Sequence, residues 1–356
     1  MKVNLFLINK LTMFCISRVS ILLLLFVVAI RLDCSAKRSC REDEFSEKED
    51  GSRNLDEEGD EEGPKASERM FDRRKDCGKA PENKIFESKR RKGYIIDGDD
   101  ALYGEWPSYA IVRVKGVRFC GGALVSNREV LTAAHCIATR DPHSNKRTTE
   151  PISKLEVMVG KHSFRQTDAF QVIREIDEVC VLKDFNSTGV RDHDLAILRF
   201  KHELPEFNNF LQPACLPDVG GDEYLEKRCY AVGLGTVKLE EDEEGYTRKI
   251  PAEKVQKLHV TKTSCESWRD EGELHDETHS CWAAAEFKKF STASTCYGDS
   301  GGPLLCYAKS SKRWLLKGIV SRGTPDCSAR KPNLYMNMDS LLAKLKNECP
   351  HDFLID

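Results

Sequence analysis

Short runs of β-forming residues, separated by turn residues, occupy the chain after Tyr94. Gly, Pro, Asn and Asp stand between these runs, and this alternation is typical of an all-β barrel or sandwich. Strands are predicted at residues 108–114, 122–125, 130–133, 155–159, 196–200 and 314–321. The expected fold class is therefore all-β.

The end of the chain has a helical pattern instead. Leu341, Leu342 and Leu345 fall on one face of a short helix, and Asp339 or Ser340 can cap its N-terminus. We expect one short C-terminal helix after the strands.

The cysteine count indicates the compartment. The chain has 356 residues and 15 cysteines, a fraction of about 4% that is high for a reducing compartment and low for a coreless disulfide scaffold. We expect an exported protein with a hydrophobic core and several disulfides. Because 55 basic and 58 acidic residues give a net charge of −3, no global positive field attracts phosphates, and no nucleic-acid partner is expected.

The N-terminus has the pattern of a secretory signal. Basic residues up to Arg18 precede an apolar run at 21–30, and Ala36 ends a small-residue cleavage pattern. The apolar run is too short to cross a bilayer, which needs about 20 residues. An uncleaved signal anchor would need weaker apolar residues upstream and would include Arg18, at a cost of about 3 kcal/mol. We therefore expect residues 1–36 to be a cleaved signal peptide.

The next segment is dominated by charge. Residues 37–76 contain few apolar side chains and include the acidic run 56–62. Such a stretch buries too little apolar surface to offset its ordering entropy, so we expect it to be disordered. Basic clusters at 73–75 and 89–92 are exposed targets for basic-specific proteases. Residues 37–94 are therefore expected to form a charged propeptide.

Three motifs contain residue types that together can cleave an acyl bond. His135 ends one hydrophobic run, Asp194 directly precedes another, and Ser300 lies in Gly-Asp-Ser-Gly-Gly-Pro at 298–303. Serine is a weak nucleophile, histidine is a base near neutral pH, and aspartate can hold the imidazole in the correct tautomer. Gly298 and Gly301 permit a sharp turn that points backbone N–H groups at a developing oxyanion.

Each of the three residues alone also has a structural explanation. A histidine before a cysteine is often structural, and an aspartate before an apolar run often starts a strand. By contrast, Gly-Asp-Ser-Gly-Gly-Pro should occur by chance on the order of once in 10⁵ chains of this length. Together with the order His135, Asp194, Ser300, it favours a catalytic site.

In these motifs and in their order, the chain resembles the chymotrypsin/trypsin family of serine proteases. The resemblance extends from Ile95 to about Pro350, so a protease domain is expected over residues 95–356. It implies two six-stranded antiparallel β-barrels, with the catalytic residues in the cleft between them. It also implies hydrolysis of peptide bonds through an acyl-enzyme.

The resemblance gives each residue a role. His135 would be the general base and then the general acid, Asp194 its orienting carboxylate, and Ser300 the nucleophile. The N–H groups of Gly298 and Ser300 would form the oxyanion hole. The chain has no Gly-rich phosphate loop and no CxxC metal pair, so neither a cofactor nor a metal is expected.

The family's cysteine pattern implies five disulfides, of which the first would keep a cleaved propeptide attached to the catalytic domain. They are Cys77–Cys215, Cys120–Cys136, Cys229–Cys306, Cys265–Cys281 and Cys296–Cys327. Cys15 and Cys34 would leave with the signal peptide. We expect Cys180 to pair with Cys349, tying the C-terminal helix to a strand, and Cys40 to be left over in the tail.

The activation site departs from the family pattern. Zymogens of the family are cut before an Ile-Val-Gly-Gly-type segment, which implies Ile95 as the new terminus and Asp299 as the partner of its amino group. Tyr94 precedes Ile95, however, and the basic cluster ends at Lys92. A cut after Lys92 would displace the ammonium and leave a buried carboxylate unpaired, at a cost of several kcal/mol.

Three routes to the mature chain therefore stay open. A chymotrypsin-like enzyme could cut after Tyr94, or a dipeptidyl peptidase could trim Gly93 and Tyr94 after a cut at Lys92. In the third case the protein is never activated efficiently.

The primary specificity pocket also departs from the trypsin pattern. Ser294 stands at its base where trypsin-like members have Asp, so cleavage after Lys or Arg is not expected. The substrate strand reads Ser321-Arg322-Gly323 in place of Ser-Trp-Gly, and Asn333 replaces a pocket-wall glycine. Asn333 should narrow or polarise the pocket. Arg322 is either a solvated rim residue or a contact for an acidic substrate side chain.

The sequence thus predicts a secreted serine endopeptidase, made as a zymogen, with non-tryptic specificity. Its expected partners are protein or peptide substrates, an activating protease and protein inhibitors, and it would associate with a membrane only if the signal segment is retained. A sequon at Asn186 permits glycosylation. The alternative is a protease-fold protein of little activity that acts by binding, which the intact set of His135, Asp194 and Ser300 argues against.

Overall fold

The structure, a computed structural model, describes residues 76–79, 98–140, 147–186, 191–217, 224–242, 244–285 and 293–350. The predicted signal peptide, most of the predicted propeptide, Ile95 and Cys40 lie outside the described residues, as do Ser187 and Thr188 of the sequon. Within the described ranges, no helix is both long and apolar enough to span a membrane.

Antiparallel strands are the main regular structure of the described chain. The strands of the first half are β1 (Asp99–Asp100), β2 (Tyr109–Val114), β3 (Arg118–Leu124), β4 (Glu129–Thr132), β5 (Ala138–Arg140), β6 (Arg147–Thr149), β7 (Leu155–Val159), β8 (Val172–Val181) and β9 (Ala196–Phe200). Those of the second half are β10 (Tyr224–Gly233), β11 (Thr236–Glu241), β12 (Thr247–Pro251), β13 (Gln256–Thr263), β14 (His279–Ala284), β15 (Pro303–Ala308), β16 (Arg313–Arg322) and β17 (Asn333–Asn337). The helices that lie wholly within the described ranges are α1 (Glu266–Arg269) and α2 (Met338–Glu348), with 3₁₀ turns at Ala134–Cys136 and Ile152–Lys154.

Two closed six-stranded barrels result from the strand pairing. The first barrel has the order β2, β3, β4, β9, β8, β7, with β7 pairing back to β2. The second has the order β13, β10, β15, β16, β17, β14, and it closes because β14 also pairs with β13. The short strand β1 adds to the outside of β13, and β11 and β12 form a separate hairpin. The predicted all-β, two-barrel fold is confirmed.

Apolar side chains fill both barrels. In β9 every residue is buried, and in β15 every residue is buried as well. The largest fully buried side chains include Trp314, Tyr109 and Phe200. Burying one side chain of this size stabilises the fold by roughly 1.5 to 3 kcal/mol, which is why such runs become central strands.

The C-terminal helix forms where the leucine pattern predicts it. Leu341, Leu342 and Leu345 of α2 are buried. The cap differs from the prediction, because Asn337, not Asp339 or Ser340, is the N-cap residue, and its side chain accepts a hydrogen bond from the Asp339 N–H. Pairing in β17 runs as far as Asn337, so the helix begins directly after the strand and the last strand residue serves as the cap.

Six disulfides join the described cysteines. They are Cys77–Cys215, Cys120–Cys136, Cys180–Cys349, Cys229–Cys306, Cys265–Cys281 and Cys296–Cys327. Cys180–Cys349 fastens β8 of the first barrel to the residue that follows α2. Cys120–Cys136 fixes the 3₁₀ turn after β4 to β3.

Candidate active site

His135 lies in the 3₁₀ turn Ala134–Cys136, at the point where β4 leaves the first barrel. The apolar residues of β4 bury the strand up to Thr132, so the turn after it is the first place where a side chain can reach solvent. The His135 side chain is 17% exposed. Its neighbours Cys120 and Cys136 are bonded to each other and therefore offer no thiolate to a metal.

Asp194 lies two residues before the first residue of β9 and is fully buried. Its carboxylate accepts hydrogen bonds from the His135 Nδ1 at 2.7 Å and from the His135 backbone N–H at 2.8 Å. The hydroxyl of Ser321 donates a third at 2.6 Å. Burial by itself would raise the pKa of Asp194, but the charge of His135 and these hydrogen bonds hold the pKa below its usual value. The carboxylate is thus ionised and fixes the orientation of the imidazole.

Ser300 lies in the turn that precedes β15. Gly298 and Gly301 both have positive φ values, 96° and 79°, and a Cβ at Gly301 would collide with Thr132 of the first barrel. The Ser300 carbonyl accepts a hydrogen bond from the Gly121 N–H at 2.8 Å. The turn of the second barrel is thereby fastened to β3 of the first, and Ser300 and His135 line one cleft of about 830 Å³.

The backbone donors in this turn divide into two groups. The N–H groups of Asp299, Gly301 and Gly302 donate to carbonyl oxygens within the second barrel. The N–H groups of Gly298 and Ser300 donate to no acceptor in the described part of the chain, and both residues line the cleft. Two unused donors beside a serine are the arrangement that can stabilise an oxyanion.

The carboxylate of Asp299 points away from the cleft into the second barrel. It accepts hydrogen bonds from the backbone N–H groups of Gly235 at 2.8 Å and Cys296 at 2.9 Å. Burial raises the pKa of Asp299 to about 6 despite these two bonds. No basic side chain in the described ranges pairs with this carboxylate, and Gly233 and Gly235 lie so close that a Cβ on either would collide with it.

The two residues predicted at the base and wall of the primary pocket contact each other. Ser294 and Asn333 are both buried, and the Ser294 hydroxyl donates to the Asn333 amide oxygen at 3.2 Å. A Cβ at Gly323 would approach that same oxygen to 2.7 Å. Gly323 lines the cleft, whereas Asn333 lies behind it and separates it from Ser294.

Tyr297 is a part of the site that the sequence reasoning missed. Its ring is 42% exposed and lines the cleft, and its hydroxyl donates to the Pro325 carbonyl at 2.9 Å. The side chain therefore crosses from the serine turn to the segment after Gly323. The sequence contained one indication of this role, because Tyr297 lies between Cys296 and Gly298, only three residues before Ser300.

Arg322 is paired and not simply solvated. Its guanidinium donates to Glu273 at 2.9 Å and lies over the Trp268 ring at 5.4 Å from the ring centroid. Ser321 is buried against Asp194. The three residues of the predicted substrate strand all line the cleft.

The structure therefore brings most of the predicted site residues to one cleft. The residues that line it directly are His135, Gly298, Ser300 and 321–323. Asp194 is buried and contacts His135. Ser294 and Asn333 are buried behind the cleft lining. Two further lining residues, Arg191 and Lys249, had no sequence signal.

A comparison with protein families gives one match. The family model described as Trypsin matches residues 95–345. This range includes every residue of the cleft and all of the strands of both barrels.

Proposed function

Because the chain belongs to the trypsin family of serine proteases, we propose that it is a secreted serine endopeptidase with a Ser300–His135–Asp194 catalytic triad. The observation that carries the proposal is the 2.7 Å contact between His135 Nδ1 and a fully buried Asp194, in the same cleft as Ser300. A carboxylate so placed keeps the other imidazole nitrogen free to accept a proton.

The proposed reaction follows from these positions. His135 Nε2 takes the Ser300 proton as the hydroxyl oxygen attacks the scissile carbonyl, and the N–H groups of Gly298 and Ser300 bind the resulting oxyanion. His135 then gives the proton to the leaving amine, and an acyl-enzyme remains. Water, deprotonated by His135, hydrolyses the ester and restores Ser300. Asp194 stays ionised throughout, as its lowered pKa favours.

We propose a small, uncharged side chain before the scissile bond. Asn333 occupies the space behind Gly323 and Tyr297 crosses the cleft toward Pro325, so a large aromatic side chain would collide with the pocket. Ser294 carries no charge to neutralise Lys or Arg, which supports the prediction of non-tryptic specificity.

We also propose that activation produces Ile95 as a new N-terminus whose ammonium pairs with Asp299. The support is the environment of Asp299, a buried carboxylate with two backbone donors and a raised pKa. A cation brought to this carboxylate would be strongly favoured. The disulfide Cys77–Cys215 would keep the preceding segment attached after the cut.

Labelling with a fluorescent phosphonate ester tests the function. We expect a chain that begins at Ile95 to be labelled at Ser300, and S300A and the uncut chain to remain unlabelled. Labelling at another residue, or none on a folded chain that begins at Ile95, would contradict the proposal. The latter result would favour the binding-protein alternative, for which Tyr94 before Ile95 is the supporting observation.

A further inference from the structure

The cleft has an unusual charge distribution for a site that must admit a peptide. Its described lining includes four basic side chains and no aspartate or glutamate. The four are Arg118, Arg191, Lys249 and Arg322. The chain as a whole has a net charge of −3, so this concentration of positive charge is local to the cleft.

Two of the four cations are already compensated. Arg322 donates to Glu273 at 2.9 Å. The Arg118 guanidinium lies 3.5 Å from the Glu150 carboxylate, and its Nε donates to the Cys136 carbonyl at 3.0 Å. These two side chains therefore add little to the positive electrostatic potential that a bound peptide would experience in the cleft.

Arg191 is not compensated. It is half-buried, and its guanidinium donates through Nη1 to the Ser321 carbonyl at 3.1 Å, which leaves its other N–H groups for a ligand. No carboxylate in the described ranges lies within ion-pair distance of it. Ser321 is the next-to-last residue of β16, in the segment 321–323 along which the substrate is expected to lie, so the guanidinium is placed beside the expected path of the residues that precede the scissile bond.

Lys249 is the second uncompensated cation. Its ammonium lies 3.4 Å from the ring centroid of Tyr297, and no carboxylate among the described residues pairs with it. A cation over an aromatic face is held in position and keeps its full charge. Lys249 therefore adds positive potential beside the serine turn.

We propose that this cleft selects peptides with acidic side chains at positions further from the scissile bond than the small residue directly before it, and that Arg191, with Lys249, determines this specificity. The proposal rests on the proposed endopeptidase function and adds its substrate class. A guanidinium with a free edge matches a carboxylate in a two-bond geometry that no neutral side chain reproduces. The role suggested by the sequence for Arg322 thus belongs to Arg191, since Arg322 is held by Glu273.

Paired peptides test the proposal. The substrates are internally quenched peptides that all have alanine directly before the scissile bond. Each of the other positions near the bond carries, one peptide pair at a time, either glutamate or glutamine. For a chain that begins at Ile95, we expect kcat/KM to be about tenfold higher for glutamate than for its glutamine twin at one or more positions before the bond. Added salt should reduce this ratio.

Variants identify the residues responsible. R191Q should bring the glutamate-to-glutamine ratio close to one, R191E should favour lysine over glutamine, and K249Q should lower the ratio in part. R174Q is the matched control, because Arg174 lies outside the cleft and contacts the Glu203 carbonyl. A ratio near one in the parent chain, or a ratio that survives in R191Q, would overturn the proposal.

A binding measurement separates this proposal from the proposed function. The same glutamate and glutamine peptides, labelled with a fluorophore, are titrated with the S300A chain that begins at Ile95. Tighter binding of the glutamate peptide, lost in the S300A/R191Q chain, supports acidic recognition even if the parent chain hydrolyses nothing. Hydrolysis of both peptides with equal binding would overturn acidic recognition and leave the protease function intact.

Discussion

The hydroxyl of Ser294 donates a hydrogen bond to the amide oxygen of Asn333 over 3.2 Å, and a Cβ placed on the cleft residue Gly323 would lie 2.7 Å from that same oxygen. Both side chains are buried. We therefore expect Asn333 to limit the pocket more than the residue at its base does.

Removing the Asn333 side chain should enlarge the pocket. We expect N333G to raise kcat/KM for a peptide with phenylalanine before the cut about tenfold relative to its alanine twin, because a few side-chain atoms in a pocket change discrimination by this order. Ser294 keeps an acceptor in the Thr295 carbonyl at 3.1 Å, so the variant leaves no unpaired hydroxyl. The measurement is the ratio of the two kcat/KM values.

A size-matched control accompanies this variant. N333L removes the amide but retains the bulk, and it should leave the phenylalanine-to-alanine ratio low. Equal ratios in N333G and the parent chain would show that Asn333 does not limit the pocket.

The all-β class and the C-terminal helix could be predicted from local sequence, whereas the arrangement in two barrels was implied by the family resemblance. Each predicted β run became a strand because its apolar residues fill a barrel, and the three leucines of α2 are buried as their spacing predicts. The cleft residues His135, Asp194 and Ser300 were also accessible, because each lies in a short motif whose composition reflects its chemistry.

Other parts of the site depend on contacts between distant segments. Arg191 has a positive φ, 52°, and its side chain contacts Ser321 at the cleft. Neither feature can be predicted from a charged residue in a loop. Lys249 is placed by the β11–β12 hairpin, where the sequence showed a charged surface segment. Helix α2 begins one residue beyond its cap Asn337 because strand pairing fixes that boundary.

The disulfide between Cys180 and Cys349 should stabilise the first barrel and α2 together. Its partners are separated by 169 residues, but the Cys229–Cys306 bridge shortens the loop that it closes in the unfolded chain. We expect C180A/C349A to lower the free energy of unfolding by about 3 kcal/mol. Urea denaturation of the double variant and the parent under oxidising conditions measures this difference.

Hydrogen exchange shows where the loss acts. Amides of α2 should exchange faster in C180A/C349A by a larger factor than those of β10 and β15, which Cys229–Cys306 joins and which change only with the global stability. Unchanged stability and unchanged exchange in α2 would contradict a stabilising role for this bridge.

A buried ion pair joins Glu105 to Lys257 and fastens the segment before β2 to β13. Their side chains are 0% and 3% exposed, and Glu105 also accepts a hydrogen bond from the Leu102 N–H at 2.6 Å. We expect K257M to reduce the free energy of unfolding by about 3 to 5 kcal/mol at pH 7, because it leaves a buried carboxylate without its cation. Denaturation by urea measures the loss.

The double variant separates the charge from the packing. E105Q/K257M should recover most of the stability lost in K257M, since no buried charge remains. The deficit of K257M should also shrink as the pH is lowered, because burial raises the pKa of Glu105 and the protonated carboxyl carries no charge that needs a cation. A deficit that persists in the double variant would point to lost packing.

Asp299 should make the uncut chain less stable as the pH rises. Burial raises its pKa from 3.8 to about 6 in the folded chain, so between these values the folded carboxyl retains a proton that the unfolded chain has released. As the pH rises from 3.8 to about 6, Asp299 alone therefore lowers the free energy of unfolding by about 2 to 3 kcal/mol. The free energy stays lower above pH 6. D299N removes the titrating group and its contribution.

The measurement is the difference in unfolding free energy between the S300A and S300A/D299N chains at pH 4 and pH 7, which cancels the other carboxylates. In the uncut chain, the unfolding free energy of S300A/D299N, relative to that of S300A, should increase by about 2 to 3 kcal/mol from pH 4 to pH 7. In a chain that begins at Ile95, the ammonium should lower the pKa of Asp299, so D299N should instead lose relative stability toward pH 7. A pH-independent difference in both forms would show that Asp299 neither titrates in this window nor pairs with the new terminus.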